Sequence, residues 1–163
     1  MLSEDSPQGG NTIEQAGPDD ANEILSAINT TDREAYRAII AREHFIEPIL
    51  SLDKLLEDFK RMTFYVHRSE GRVAGVAALY VENEEAGRVR WVFVLPEYQR
   101  QGIGTALVSH VEHRAREPGL RRLRLVTPAR AGWAIRFYGK LGYEPAGEVE
   151  NPWGTEVLLA KVL

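Results

Sequence analysis

Hydrophobic positions along this chain recur first at helical spacing and then, from residue 63, largely in alternation. Residues 11–15 predict a short strand. Pro18-Asp19-Asp20 predicts a helix start, because proline and acids suit a first turn. Ile24, Leu25 and Ile28 give that helix its apolar stripe. Thr30-Thr31-Asp32 predicts a break, with a second helix running through Tyr36, Ile39 and Ile40 toward His44. Ser51-Leu52-Asp53 predicts another start, with Leu55, Leu56 and Phe59 at helical spacing. Residues 63–68 and 73–81, joined by the turn residues Glu70-Gly71, predict two strands. Residues 83–87 turn into a strand over 88–94, which Pro96 ends. Gly102 opens a helix with Ile103, Leu107, Val108 and Val111 on one face, and Pro118-Gly119 stops it. A strand over 120–127 and a helix over 131–141, capped by Gly142, precede closing strands over 143–149 and 155–162. The expected architecture is one α/β domain over residues 11–163, with a mixed, largely antiparallel sheet. Residues 1–10 read as a flexible polar tail.

Composition narrows this picture. A chain of 163 residues with 44% hydrophobic and 27% charged residues has the make-up of one globular domain. No apolar run approaches the roughly 18–20 residues needed to span a bilayer, and no basic, apolar leader opens the chain. A cytoplasmic location is expected. The sequence contains no cysteine, which removes disulfides, thiolate metal sites and a cysteine nucleophile; no metal is expected. The net charge of −4 is uneven: residues 1–60 hold 13 acids against 5 Lys and Arg, and residues 61–163 hold 11 against 15. Two readings stay open. The basic part suits an anionic ligand and the acidic part a cationic one, or the charges are simply a solvated surface. Arg121, Arg122 and Arg124 are too few for a nucleic-acid footprint.

The most informative segment is Val92-Phe93-Val94-Leu95-Pro96-Glu97-Tyr98-Gln99-Arg100-Gln101-Gly102-Ile103-Gly104-Thr105, a strand feeding a loop that opens a helix. Glycine is about 1 kcal/mol worse than alanine inside a helix, so two at a helix start need a reason. One is a bound phosphate: first-turn N–H groups lack helical partners at the positive end of the dipole, and missing Cβ atoms let an anion approach. Gln99, Arg100, Gln101 and Thr105 add side-chain donors around it. The other reason is close packing of helix on sheet. A dinucleotide fingerprint fits poorly, with Leu107 where a third small residue is needed, and no Gly-Lys-Ser/Thr makes a P-loop.

Residues 94–104 resemble the signature of the GNAT superfamily of N-acetyltransferases: a strand ending in Val, then Pro, an aromatic and Gln/Arg-x-x-Gly-x-Gly/Ala opening a helix. Downstream, Ala134-Ile135-Arg136-Phe137-Tyr138-Gly139-Lys140-Leu141-Gly142-Tyr143 resembles the family's second signature. Ala134, Phe137, Tyr138 and Leu141 share one helix face, a spacing that taken alone suits a core stripe. The resemblance implies a GNAT-like sheet with a splayed strand pair that holds acetyl-CoA. It implies pyrophosphate at Gln99, Arg100, Gln101, Gly102, Ile103, Gly104 and Thr105, and pantetheine along the backbone of Phe93 and Val94. Tyr138 is then the residue facing the sulfur, where a phenol can protonate or hydrogen-bond the leaving thiolate. Ala131 stands where the family often has an Asn that contacts the pantetheine; Lys140 or Arg130 is placed for the 3′-phosphate or for solvent.

The implied activity is transfer of acetyl from acetyl-CoA to an amine acceptor by direct attack in a ternary complex. The alternative is a non-catalytic acyl-CoA sensor of the same fold. The strand Arg88-Val89-Arg90-Trp91-Val92-Phe93 lacks the carboxylate that many family members use as base. Glu82, Glu84, Glu85, Glu43, His44, Glu47 and His67 leave the base unassigned, and Trp91 suits either an acceptor wall or the core. The acceptor, small molecule or protein amine, is unassigned too, and a homodimer stays open.

Overall fold

The computed structural model describes residues 12–44 and 46–163. The expected tail over 1–10 and the first residue of the expected opening strand lie outside the described residues.

Strand β1 (Thr12–Gln15) leads through a 3-10 turn over Pro18–Asp20, where Asp20 Oδ2 accepts the Gly17 N–H at 3.0 Å. Helix α1 (Ala21–Tyr36) follows and buries Ala21, Ile24, Ala27, Ile28, Thr31 and Asp32. The break expected at Thr30-Thr31-Asp32 is absent. Thr31 continues the buried stripe at helical spacing, and packing overrides the weak preference of Thr and Asp for caps. The expected second helix toward His44 does not form; only a 3-10 turn over Arg42–His44 is present, in an otherwise irregular passage.

Helix α2 (Leu52–Arg61) starts at Ser51, whose Oγ accepts the Lys54 N–H at 3.2 Å. Its inward face carries Leu55, Asp58 and partly buried Phe59, whereas Leu56 is exposed. Strands β2 (Thr63–Ser69), β3 (Arg72–Val81) and β4 (Ala86–Val94) form an antiparallel meander. Helix α3 (Ile103–Arg116) crosses to β5 (Arg122–Pro128), which pairs in parallel with β4 and so needs such a crossover. Helix α4 (Gly132–Lys140) and the hairpin β6 (Glu144–Asn151) to β7 (Gly154–Val162) close the chain.

Among the described residues, seven strands lie in the order β1-β2-β3-β4-β5-β7-β6. Beyond a bulge at Ala74, alternation along β3 divides the core between two faces. Ala74, Ala77 and Leu79 meet Leu107, Val108 and Val111 of α3. Val76 and Ala78 meet Ile24, Ile28 and Leu55 of α1 and α2.

Candidate active site

The site begins where the sheet splits. β4 and β5 pair only over Ala86↔Arg122, Gly87↔Leu123 and Arg88↔Arg124, while β5 stays paired with β7 as far as Pro128. From Val89 onward β4 therefore has a free edge. Glu82 secures the closed end, accepting two hydrogen bonds from Arg124 at 2.7 and 3.0 Å, and those bonds hold its carboxyl below the usual range.

A bulge in β4 shapes the open end. Val76 pairs with Phe93 and Ala78 with Arg90, so β4 carries one extra residue, and Trp91 takes a positive φ of 55°. Its indole N–H donates to Asp58 Oδ2 at 3.1 Å. Beyond the bulge, Leu95 N–H bonds the Ala74 carbonyl. Antiparallel pairs alternate, so the N–H and C=O of Val94 point away from β3 into the gap. The Gln99 side chain donates to that carbonyl at 2.8 Å, which leaves the Val94 N–H as the donor facing the gap.

The loop after β4 turns at Pro96–Tyr98, then places Arg100 at φ 66° and Gly102 at φ 82°. A side chain at Gly102 meets no atom within 4 Å, so the glycine answers a backbone conformation rather than crowding. Gly104 differs: a Cβ there lies 3.2 Å from Phe137 Cζ, so this glycine lets α4 pack over the start of α3. The first helical bond runs from Ala106 N–H to the Gly102 carbonyl, and the N–H groups of Ile103, Gly104 and Thr105 have no partner within the helix. The packing explanation therefore holds for Gly104, while Gly102 is required by its left-handed backbone.

A groove of about 760 Å³ follows the free edge to these N–H groups. Of the residues expected to bind the cofactor, Phe93, Val94, Gln99, Arg100, Gly102, Ile103, Gly104, Thr105 and Tyr138 line it; exposed Gln101 does not. Lys140 lines it too, whereas Arg130 Nη1 instead donates to the Ile39 carbonyl at 3.2 Å. Ala131 is fully buried. Reading the sequence missed the groove walls from α1 (Thr31, Ala35, Tyr36) and Trp133 of α4. A row of first-turn N–H groups, an open strand edge and two cations suit a long, amide-bearing ligand with an anionic centre.

A second cavity of about 380 Å³ opens on the far side of the gap, and Tyr36, Val92, Phe93 and Tyr138 line both. Tyr138 stands at the junction, 4.9 Å from the Phe137 ring and 5.8 Å from the Tyr143 ring between centroids. Burial, then the neighbouring Tyr36, pushes its phenol well above the usual range, so it keeps its proton. Trp91 packs in the core and also lines this cavity. Of the carboxylates and histidines considered as bases, only His44 lines it. Glu47 is held by Arg33 and Arg37, and His67 lies on β2 with burial lowering its pKa.

The carboxylates that do face this cavity are Asp32 and Glu156. Asp32 is 5% exposed, and burial, then the charge of Glu47, raises its pKa to about 6. It escaped notice in the sequence because Thr-Thr-Asp resembles a helix cap.

Similarity to known proteins agrees with this geometry. The sequence profile of the acetyltransferase (GNAT) family matches residues 26–143. An amino-acid acetyltransferase of Pseudomonas putida (strain GB-1) is 30% identical across 69% of this chain, and one of Pseudomonas fluorescens (strain Pf0-1) is 28% identical across 86%. The chain spans only 29% of the length of either relative. The solved structure of the PaiA N-acetyltransferase of Thermoplasma acidophilum in complex with coenzyme A superposes with a TM-score of 0.82 at 17% identity, covering 93% of this chain and 98% of that one. The ribosomal-protein-alanine N-acetyltransferase of Brucella melitensis superposes at 0.74 with 21% identity, covering 93% and 99%. The split sheet, the ungrouped N–H groups of α3 and these similarities make the chain a member of the GNAT family of acetyltransferases.

Proposed function

We propose that this protein transfers an acetyl group from acetyl-CoA to an amine, with both substrates held together and no covalent enzyme intermediate. The observation that carries the reading is the meeting of the groove and the second cavity at Tyr138 and Phe93. Acetyl-CoA, when bound, supplies a thioester carbonyl open to attack. The N–H groups of Ile103, Gly104 and Thr105 hold its pyrophosphate, with Arg100 and Lys140 nearby, and the β4 edge at Phe93 and Val94 holds its amide arm. The Val94 N–H is the donor for the carbonyl oxygen. Tyr138 holds a proton for the departing sulfur. Holding two reactants in place supplies up to roughly 7–11 kcal/mol of barrier reduction. Dependence on acetyl-CoA supports a cytoplasmic location.

Calorimetric titration with acetyl-CoA tests this. The expected result is micromolar binding to the wild type, weakened at least about ten-fold in Gly104→Val, whose methyls run into Phe137 and narrow the groove. Circular dichroism checks that the variant folds. No binding by the wild type overturns the proposal. Binding without turnover on any of a panel of primary amines favours the acyl-CoA sensor instead.

A further inference from the structure

Resting on that reading, we propose that Asp32 receives the acceptor's ammonium group and removes its proton, and that the acceptor is an amine carried on an apolar body.

The geometry carries both halves. Asp32 lies four residues before Tyr36 on α1, one turn away, and Tyr36 lines the groove and the second cavity alike. The carboxylate faces that cavity while nine-tenths buried, and among the described residues none pairs with it or donates a hydrogen bond to it. A buried charge without a partner is costly, and an ammonium ion arriving in the cavity supplies the missing partner. The walls around it are Ile40, Ile46 and Ile49 from the passage after α1, Trp91 and Phe93 from β4, and Trp153 from the β6–β7 turn. These surfaces take an alkyl or aryl body and offer little to a polyhydroxylated one.

Titratable groups from several elements share the space around Asp32. Glu47, held by Arg33 and Arg37, adds negative charge beside it. Tyr36 shares its helix, and His44, Arg90, Tyr138 and Glu156 line the same cavity. Burial and Glu47 both favour the protonated acid, which places the carboxyl close to the working pH.

The proton count closes. The ammonium gives one proton to an Asp32 oxygen. The freed nitrogen lone pair forms the C–N bond, and the C–S bond breaks with its electron pair going to sulfur. The nitrogen's second proton reaches that sulfur through the Tyr138 hydroxyl, which gives one proton and takes one. Asp32 then releases its proton to water, leaving one amide, one thiol and one proton.

The test uses 2-phenylethylamine as acceptor, putrescine as a polar comparison, and the full chain with Asp32→Asn and Asp32→Glu. For the wild type, kcat/KM for 2-phenylethylamine rises with pH through an ionisation near 6 and exceeds that for putrescine at least ten-fold. Asp32→Asn lowers kcat about 100-fold or more and loses that ionisation. Its residual rate climbs about ten-fold per pH unit as free amine accumulates, and Asp32→Glu restores part of the loss. Acetyl-CoA affinity, read by calorimetry, stays within about two-fold, and Asp32→Asn melts higher than wild type at pH 8. A structural role moves the last readout the other way. Asp32→Asn with near-wild-type turnover and an unchanged pH profile, or a preference for putrescine, overturns the proposal. Failure of the wild type to bind acetyl-CoA overturns the underlying reading with it.

Discussion

At the scale of single side chains, burial shifts the ionisation of Tyr138 and Asp32 in ways that can be measured. Burial holds the Tyr138 phenol protonated, so it contributes no ionisation of its own below pH 10. Tyr138→Phe is expected to lower kcat about ten- to a hundred-fold and to leave acetyl-CoA affinity within about two-fold. The loss is modest because a thiol, with a pKa of about 8.5, already leaves readily. Full turnover by the Phe variant across pH 6–9 sinks the role. Asp32 has a stability signature as well. Its folded pKa of about 6 lies above the ordinary value of 3.8, so the folded state binds the extra proton. The stability gained from that proton is complete below about pH 4 and is lost as pH rises through about 6. Thermal melts of wild type and Asp32→Asn between pH 4 and 8 are expected to diverge across that window. The variant is favoured at the top by up to about 3 kcal/mol.

Among the elements, β4 combines a bulge, a free edge and a buried clamp. Trp91 at φ 55° costs on the order of 1–3 kcal/mol, and its hydrogen bond to fully buried Asp58 helps hold it there. Trp91→Phe removes that N–H and leaves the Asp58 carboxylate short of a donor. A loss of about 1–3 kcal/mol is expected in urea unfolding, with weaker acetyl-CoA binding as the edge beyond the bulge loosens.

The same strand shows what a sequence can and cannot reveal. The strand–loop–helix layout from Val92 to Thr105 was legible because a strand-ending Pro and glycines at a helix start are local events, whereas the positive φ of Gly102 was not foreseen. The alternation of β2 and β3 was legible because each face has its own core. Asp32 and Asp58 were not. Nothing near either residue announces burial, which follows from α1 packing on β3 and β4 and from Trp91, at the bulge, reaching Asp58 of α2. The helix break expected at residue 30 failed for the same reason, since a long-range surface took up Thr31.

For the whole molecule, the decisive feature is a sheet joined across its middle by three residue pairs and a crossover helix. A ligand in the gap bridges the two parts. Acetyl-CoA at 100 times its dissociation constant is expected to add about 2.7 kcal/mol, which raises the melting temperature by about 5–10 °C. Hydrogen exchange is expected to slow at the amides of residues 89–94 and 103–105, with little change in β6.

Helix α1 runs unbroken beneath both cavities. Thr31 and Ala35 face the groove, Asp32 faces the second cavity, and Tyr36 faces both. One helix forming a wall of each cavity is expected to couple them. By thermodynamic reciprocity, the factor by which acetyl-CoA changes the affinity of the amine equals the factor by which the amine changes that of acetyl-CoA. Wherever that factor differs from one, each proposed substrate is the other's effector.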